Sequence, residues 1–509
     1  MTREYVERIL KSKVYDVAEE SPLERAALLS QRLQNDVWLK REDLQSVFSF
    51  KLRGAYNKLA NLPPKVRARG VLAASAGNHA QGVALAARKL GVRATIVMPI
   101  TTPDIKVDAV RRLDARVILH GISFDEARDH AVILGRDRGL TFIHPFDDVD
   151  VIAGQGTIAM EIFRQHPGPI HAIFVAIGGG GLIGGIAAYV KALWPEVRVI
   201  GVEPEESASM HAALAAGHPV RLDGVGLFAD GVAVREVGQE TYRIAASCVD
   251  EVILVSTDEL CAGVKDIFDD TRSIAEPSGA LGVAGLKRYV DREGLKGQSL
   301  IAIDGGANVN FDRLRHIAER AEIGEAREIL LGVTIPERPG SFHRFCQCIG
   351  QRSVTEFNYR YASSDEAHVF VGLELRTPDD RAAIFSALET GGYPVIDMTN
   401  NEMAKLHVRY MVCGRVRGLV DERLLRFEFP ERPGALLRFL AQMGGRWNIS
   451  LFHYRNHGSA YGRVLAGVQV PAIDQTVFGT FLEQLGYRYR DETENPAYRL
   501  FLMGPEDNV

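Results

Sequence analysis

Between residues 71 and 308, short β-branched apolar runs alternate with longer stretches whose apolar positions recur at helical spacing. Residues 94–98, 117–120, 173–177, 197–202, 252–255 and 299–303 read as strands, and their alternation with helices predicts a parallel α/β sheet. Several runs are apolar along most of their length, as expected of strands covered by helices on both faces. This pattern fades near Ala326, where the α/β body is expected to end.

Beyond that point the chain repeats itself. A block LLGVTIPERPGSFHRFCQCIGQRSVTEFNYRYA starts at Leu330, and LLRFEFPERPGALLRFLAQMGGRWNISLFHYRNH starts at Leu424, so that P-E-R-P-G recurs identically at Pro336 and Pro430. Each block reads strand, turn, helix and strand, followed by a further strand and helix that end in Gly392-Tyr393 or Gly486-Tyr487. A small α+β sandwich is the natural fold. A dimerisation arm without a ligand is the plainer use of such a tail. A sensor is favoured because the glycine of P-E-R-P-G lies where a strand turns into a helix, leaving backbone N–H groups for an amino-acid carboxylate.

Length and composition narrow the class. With 509 residues, 46% hydrophobic and 25% charged, the chain is an ordinary globular protein of three or four domains. A net charge of -5 with scattered basic residues gives no electropositive stripe for nucleic acid. Five sparse cysteines (Cys248, Cys261, Cys346, Cys348, Cys413) lack C-x-x-C spacing and indicate reduced thiols in a cytosol. The N-terminal stretch alternates charge and apolarity without a signal-peptide core, so a cytoplasmic location is expected. Residues 172–190 approach membrane-span length, but four glycines divide them into a strand-like and a helix-like run, which reads as buried core and not as a membrane segment.

Four segments of the body make sense as one site for a phosphorylated cofactor. In Ser49-Phe50-Lys51-Leu52-Arg53-Gly54-Ala55 a lysine sits between Phe50 and Leu52 where a core helix opens. Partial burial lowers an amine's pKa and yields a neutral nucleophile able to form a Schiff base; a surface lysine with a packed stem is the plainer alternative. Gly178-Gly179-Gly180-Gly181-Leu182 follows an apolar strand and opens a helix, so its N–H groups and the helix dipole suit a phosphate. No Lys-Ser/Thr pair follows, which excludes an ATP-type loop. Gly179, Gly181 and Gly184 do satisfy G-x-G-x-x-G with Glu203 downstream, so a nicotinamide dinucleotide is the serious rival.

Ser75-Ala76-Gly77-Asn78-His79-Ala80-Gln81-Gly82 is a second strand-to-helix turn, with amides and a hydroxyl for a substrate carboxylate and a side-chain amide for a ring hydroxyl. His79 is read as structural. Asp304-Gly305-Gly306-Ala307-Asn308 ends a strand where a ring nitrogen could find a partner, or is a plain turn. Glu276-Pro277-Ser278-Gly279 places a carboxylate near the ring or caps a helix, and Gly154-Gln155-Gly156-Thr157 reads as a helix start. No His/Cys cluster has metal-ligand spacing and no G-x-S-x-G elbow is present, so no metal is expected.

In this order, S-F-K-L-R-G-A, S-A-G-N-H-A-Q-G, G-G-G-G-L and E-P-S-G-A resemble the biosynthetic threonine deaminases. The tail segments V-T-E-F-N-Y-R, M-A-K-L-H-V-R-Y-M and W-N-I-S-L-F-H-Y-R look like the paired ACT-like domains of the long, isoleucine-sensitive form. The resemblance implies a fold-type II, tryptophan synthase β-like body of two α/β subdomains (residues 1–326) and two ferredoxin-like ACT-like domains (327–415 and 420–504). It implies pyridoxal 5'-phosphate on Lys51 beside Phe50, its phosphate on Gly178, Gly179, Gly180, Gly181 and Leu182, and its ring hydroxyl on Asn78. Ser75, Gly77 and Asn78 would hold the substrate carboxylate, and the freed Lys51 amine would take the α-proton.

The implied reaction is deamination of L-threonine to 2-oxobutanoate and ammonia, the first step of isoleucine synthesis. The resemblance also implies activity on L-serine, inhibition by isoleucine relieved by valine, and a homotetramer. One position departs from the family pattern, because Gly305 stands where a serine usually faces the pyridine nitrogen. Elimination is expected to survive, with water or Asp304 at that nitrogen. Rivals are a β-replacement enzyme of the same cofactor class, which the doubled tail disfavours, a nicotinamide oxidoreductase, and an inert sensor, for which the presence of Lys51 is unexpected.

Overall fold

A computed structural model describes residues 2–361, 365–377, 379–411, 416, 419–430, 435–443, 445–455, 461–496, 498 and 502. It divides into two compact units, Met1–Gly324 and Glu325–Val509.

The first unit contains two sheets where the pattern of runs suggested one. A four-stranded parallel sheet is built from β3 (Val71–Ala74), β4 (Ala94–Met98), β5 (Arg116–Leu119) and β6 (Thr141–Phe142), in the order β5-β4-β3-β6. A six-stranded sheet is built from β1 (Leu23–Arg25), β2 (Asp36–Arg41), β7 (Ala172–Ala176), β8 (Arg198–Pro204), β9 (Glu251–Val255) and β10 (Ser299–Asp304), in the order β1-β2-β10-β7-β8-β9. Only β1 runs antiparallel to its neighbour. The would-be membrane segment resolves into β7 and the buried helix Gly181–Leu193. Among the described residues no helix is long and apolar enough to cross a membrane.

β2 escaped the hydrophobic pattern because its last two residues are charged and yet buried. Lys40 pairs with Glu161 at 2.7 Å, and Arg41 grips Asp43 through two nitrogens at 2.8 and 2.7 Å. Glu161 and Glu42 also receive the Arg53 guanidinium, at 2.6 and 2.7 Å, while Tyr15 and Ser21 donate to the same two carboxylates. Arg53, Glu42, Glu161 and Lys40 are all fully buried. Such a cluster is tolerated only when every charge is matched, and it anchors the helix Lys51–Asn61 from below, two residues past its first residue.

Gly154-Gln155-Gly156-Thr157 does not begin a helix but lies inside Val149–Gln165, which Asp148 caps through the Asp150 and Val151 amides. The reason is a close helix crossing: a Cβ on Gly154 would stand 2.7 Å from the Gly54 Cα, so two backbones meet where both residues lack side chains.

The second unit is one antiparallel sheet. Its strands are β11 (Glu328–Pro336), β12 (Val354–Arg360), β13 (Glu366–Glu374), β14 (Val395–Asp397), β15 (Glu422–Pro430), β16 (Asn448–Arg455), β17 (Tyr461–Gln469) and β18 (Arg488–Asp491). The order is β14-β11-β13-β12-β16-β17-β15-β18, so the two repeats read outward from the central β12–β16 pair as mirror sequences of equivalent strands. Phe357, Tyr359 and Phe452 join the aromatic core beneath the helices. The alternate residues Glu356 and Arg360 are buried in ion pairs with Arg409 and Glu422. The second P-E-R-P-G turn, after Pro430, lies outside the described residues, as does Cys413.

Candidate active site

The candidate residues collect at the carboxyl ends of parallel strands, where open α/β sheets present ligand sites. β3 runs into the Ser75–Gly77 turn, β7 into the glycine loop, and β10 into Gly305 and Gly306. The segment before Lys51 is stitched to the end of β10: the Phe50 amide donates to the Gly305 carbonyl at 3.3 Å, and the Ala307 amide donates to the Phe48 carbonyl at 2.9 Å.

Lys51 opens its helix, with its amine 5.1 Å from the centre of the Phe50 ring. Burial lowers the amine from an ordinary 10.5 to about 8, opposed by the negative charge of Glu276. At pH 7 a pKa of about 8 leaves roughly one amine in eleven neutral, some 300 times the fraction at 10.5. The rate at which cofactor-free protein captures an aldehyde should therefore rise about tenfold per pH unit below pH 8 and level off above it. Stopped-flow reconstitution across pH checks this, and continued acceleration toward pH 10 would mean that the lysine is solvated.

Asn78 begins the helix Asn78–Leu90, and its amide is oriented from both sides. Its Nδ2 donates to Glu276 Oε1 at 2.6 Å, and its Oδ1 accepts from Asn308 Nδ2 at 2.7 Å. Asn308 also donates to the Val47 carbonyl at 2.8 Å, so strand end, turn and helix share one polar chain. Ser75 accepts from the Gly77 amide at 3.2 Å, and the space beside Gly77 is open where a Cβ would stand. His79 Nε2 lies 3.0 Å from the Ile143 carbonyl, and burial with the nearby Lys51 charge pushes its pKa down to about 3. A neutral ring donating to a carbonyl is structural, as expected from sequence.

The glycine loop is gripped from outside. A Cβ on Gly179 would stand 2.1 Å from the Phe146 ring, and Gly180 adopts φ +91°, with Thr241 Cβ 2.9 Å from where its own would be. Thr241 Oγ1 donates to the Gly179 carbonyl at 2.7 Å. The helix Gly181–Leu193 starts here, so backbone amides and a helix N-terminus are what the loop offers, and Leu182 contributes only backbone because its side chain is in the core. Phe146 links the loop to His144 at 4.7 Å between ring centres, and His144 and His79 both feel the Lys51 charge. A cradle that side chains would fill, together with a desolvated lysine, fits a phosphorylated aldehyde.

The dinucleotide alternative fails at its acidic residue. Glu203 accepts from the Met210 and His211 amides, both at 2.8 Å, and caps the helix Ser209–Ala216. It is fully buried, which raises its pKa to about 7, and neither oxygen is left for a ribose.

Gly305 presents no side chain, and a Cβ there would contact only the Phe50 ring at 3.5 Å and the Gly279 backbone. Asp304 is buried between Arg41, at 3.7 Å, and the first turn of the helix Pro277–Glu293. Burial and the neighbouring Asp43 charge hold its carboxyl well above the usual range.

Glu276, left open between ring contact and helix cap, makes no capping bond and turns instead toward Asn78. The E-P-S-G motif was the available signal for it. The roles of Asn308, Phe146 and Thr241 carried none.

The family described as "Pyridoxal-phosphate dependent enzyme" matches residues 14–304, and "C-terminal regulatory domain of Threonine dehydratase" matches twice, at residues 319–408 and 414–502. The L-threonine dehydratase biosynthetic IlvA of Burkholderia multivorans is 58% identical over 98% of this chain and 99% of its own length. The corresponding Escherichia coli protein is 53% identical, covering 98% and 97% respectively. The chloroplastic biosynthetic threonine dehydratase of Arabidopsis thaliana is 50% identical, covering 98% and 84%. Among solved structures, processed threonine deaminase isoform 2 of Solanum lycopersicum superposes with a TM-score of 0.62 at 50% identity, over 63% of this chain and 88% of that one. Maize serine racemase gives 0.57 at 30% identity, over 62% and 94%.

Proposed function

The chain belongs to the biosynthetic threonine dehydratases, and from that membership we propose which of its residues carry the reaction and which ligands control it. It deaminates L-threonine with pyridoxal phosphate and carries a C-terminal regulatory unit.

Lys51 holds the cofactor, Gly178, Gly179, Gly180, Gly181 and Leu182 bind its phosphate through backbone amides, Phe50 flanks it, and Asn78 faces its ring hydroxyl. The observation that carries this assignment is the desolvated Lys51 amine at the meeting point of the β3, β7 and β10 strand ends. When bound, the cofactor supplies an electron sink for the charge left at Cα. Ser75, Gly77 and Asn78 receive the substrate carboxylate in the open turn. Lys51, once displaced, takes the α-proton and later returns as the nucleophile that releases product. Next to Gly305 the ring nitrogen would have no carboxylate partner, because Asp304 is buried on the Arg41 side, where burial and the Asp43 charge raise its pKa; water would serve that nitrogen. A weakly polarised ring favours elimination over racemisation or transamination.

Isoleucine and valine are the regulatory ligands we assign, with isoleucine inhibitory. In the first repeat Glu337 of P-E-R-P-G accepts from Tyr359 and, at 2.9 Å, from Asn448 on β16, so this turn is wired to the other repeat. The domain limits 1–326, 327–415 and 420–504, a cytosolic location, a homotetramer and a side activity on L-serine complete the proposal.

Purified protein supplied with cofactor and L-threonine should release 2-oxobutanoate and ammonia in equal amounts, and pyruvate from L-serine. Racemised or transaminated product exceeding keto acid plus ammonia would overturn the account of Gly305.

A further inference from the structure

The proton balance of the reaction points to a second group. Threonine must lose a β-hydroxyl, and at neutral pH hydroxide leaves poorly unless it is protonated as the C–O bond breaks. Lys51, which takes the α-proton as a neutral amine, could supply only that same proton, so a separate acid keeps the two transfers independent.

Glu276 is the buried carboxyl of this pocket, 6% exposed. Its Oε1 accepts from Asn78 at 2.6 Å and from Ser278 Oγ at 2.9 Å. Its amide donates to the Gly306 carbonyl at 2.9 Å, and a Cβ on Gly306 would stand 3.0 Å from Oε1, so the carboxyl lies against the turn that also holds Phe50. Burial, and then the Asp230 charge, raise its pKa, against the hydrogen bonds of Ser278 and Asn78 and the charge of Lys106. It is also the carboxylate whose charge acts on Lys51. A carboxyl whose pKa is raised and an amine whose pKa is lowered thus act on one another, the arrangement by which one site performs acid and base chemistry at the same pH.

We propose that Glu276 is the acid that protonates the departing β-hydroxyl of threonine. The Cα–H bond gives its proton to the Lys51 amine and its electron pair to the new C=C bond. The C–O bond breaks with its pair onto oxygen, which takes the Glu276 proton and leaves as water. This leaves a Lys51 ammonium beside a Glu276 carboxylate. Return of the proton from amine to carboxylate resets both groups and leaves Lys51 neutral for product release. The sum is loss of one water, with no external acid or base.

The proposal takes threonine deamination as given, so it is tested by comparing leaving groups in the full-length holoenzyme. Glu276→Gln should slow deamination of L-threonine by about 10²- to 10⁴-fold, the usual contribution of a general acid. Elimination from β-chloro-L-alanine, whose chloride needs no proton, should stay within about threefold, and the cofactor's visible band should persist. Equal losses on both substrates, or undiminished threonine turnover, would overturn the acid role while leaving the family assignment intact. A readout independent of turnover is reconstitution of the cofactor-free variant, whose pH midpoint should fall below about 8 once the Glu276 charge is gone; an unmoved midpoint would contradict the pairing with Lys51. Should Glu276→Gln fail to fold, Glu276→Asp, which keeps a carboxyl but draws it back by one methylene, should lower the ratio of threonine to β-chloroalanine turnover, and an unchanged ratio would overturn the proposal.

Discussion

Lys51→Ala is expected to abolish the visible band of the lysine-bound cofactor and to reduce threonine deamination by at least about 10³-fold, since one side chain supplies the covalent anchor, the base for the α-proton and the nucleophile for release. The fold should survive, because the helix that Lys51 opens is secured by Arg53 between Glu42 and Glu161, and alanine is a good residue for a helix start. Absorption spectra and a keto-acid assay on the variant beside the native enzyme check both halves. A variant that kept the band would place the cofactor on another amine and remove the basis for reading the glycine loop and Asn78 as its partners.

Truncation after Gly324 is expected to preserve deamination and to erase the isoleucine response. The second unit owns its core: the cluster containing Ile329, Phe345, Phe357, Phe439, Phe452 and Phe478 draws no member from the first unit. An effector that prefers one arrangement of this unit by about 1 to 3 kcal/mol changes activity about 5- to 150-fold, and that factor should collapse to one in the truncated enzyme. Valine should likewise lose its effect. Isoleucine titrations of both forms under identical threonine concentrations decide it, and an inhibitory curve that persists would move the effector site into the catalytic unit.

The parts of this molecule that were legible in its sequence are those whose physics is local. A strand followed by four glycines and an apolar helix is a local pattern that suits a phosphate, and Gly180 at φ +91° is a requirement of the turn itself. Lys51 at a helix start flanked by Phe50 and Leu52 was a local signal too, although spacing alone left a surface lysine as the plainer alternative. What escaped depends on partners far along the chain. β2 ends in Lys40 and Arg41, charges that break an apolar strand pattern and are buried only through Glu161 and Asp43. The glycines inside Val149–Gln165 read as a helix start because the helix they meet, at Gly54, is about a hundred positions away. Glu276 read equally as a ring contact or a cap, and only Asn78, 198 residues upstream, shows why its side chain turns away from its own helix. Periodicity likewise identified β4, β5 and β7 to β10 without saying which pair, so that two sheets were indistinguishable from one.

The mirrored strand order of the second unit has a consequence for how such a unit could arise and persist. Two separate copies of a single repeat, meeting about a two-fold axis that passes between the antiparallel β12 and β16 and perpendicular to them, would build the same eight-stranded sheet as a self-complementary dimer. Tandem joining converts that bimolecular encounter into an intramolecular one, at an effective concentration in the millimolar range for a short linker. Once joined, the halves no longer need to be identical. Each side of the former symmetry axis is free to accumulate its own substitutions, and a sensor that began with two equal seats can come to distinguish one amino acid from another.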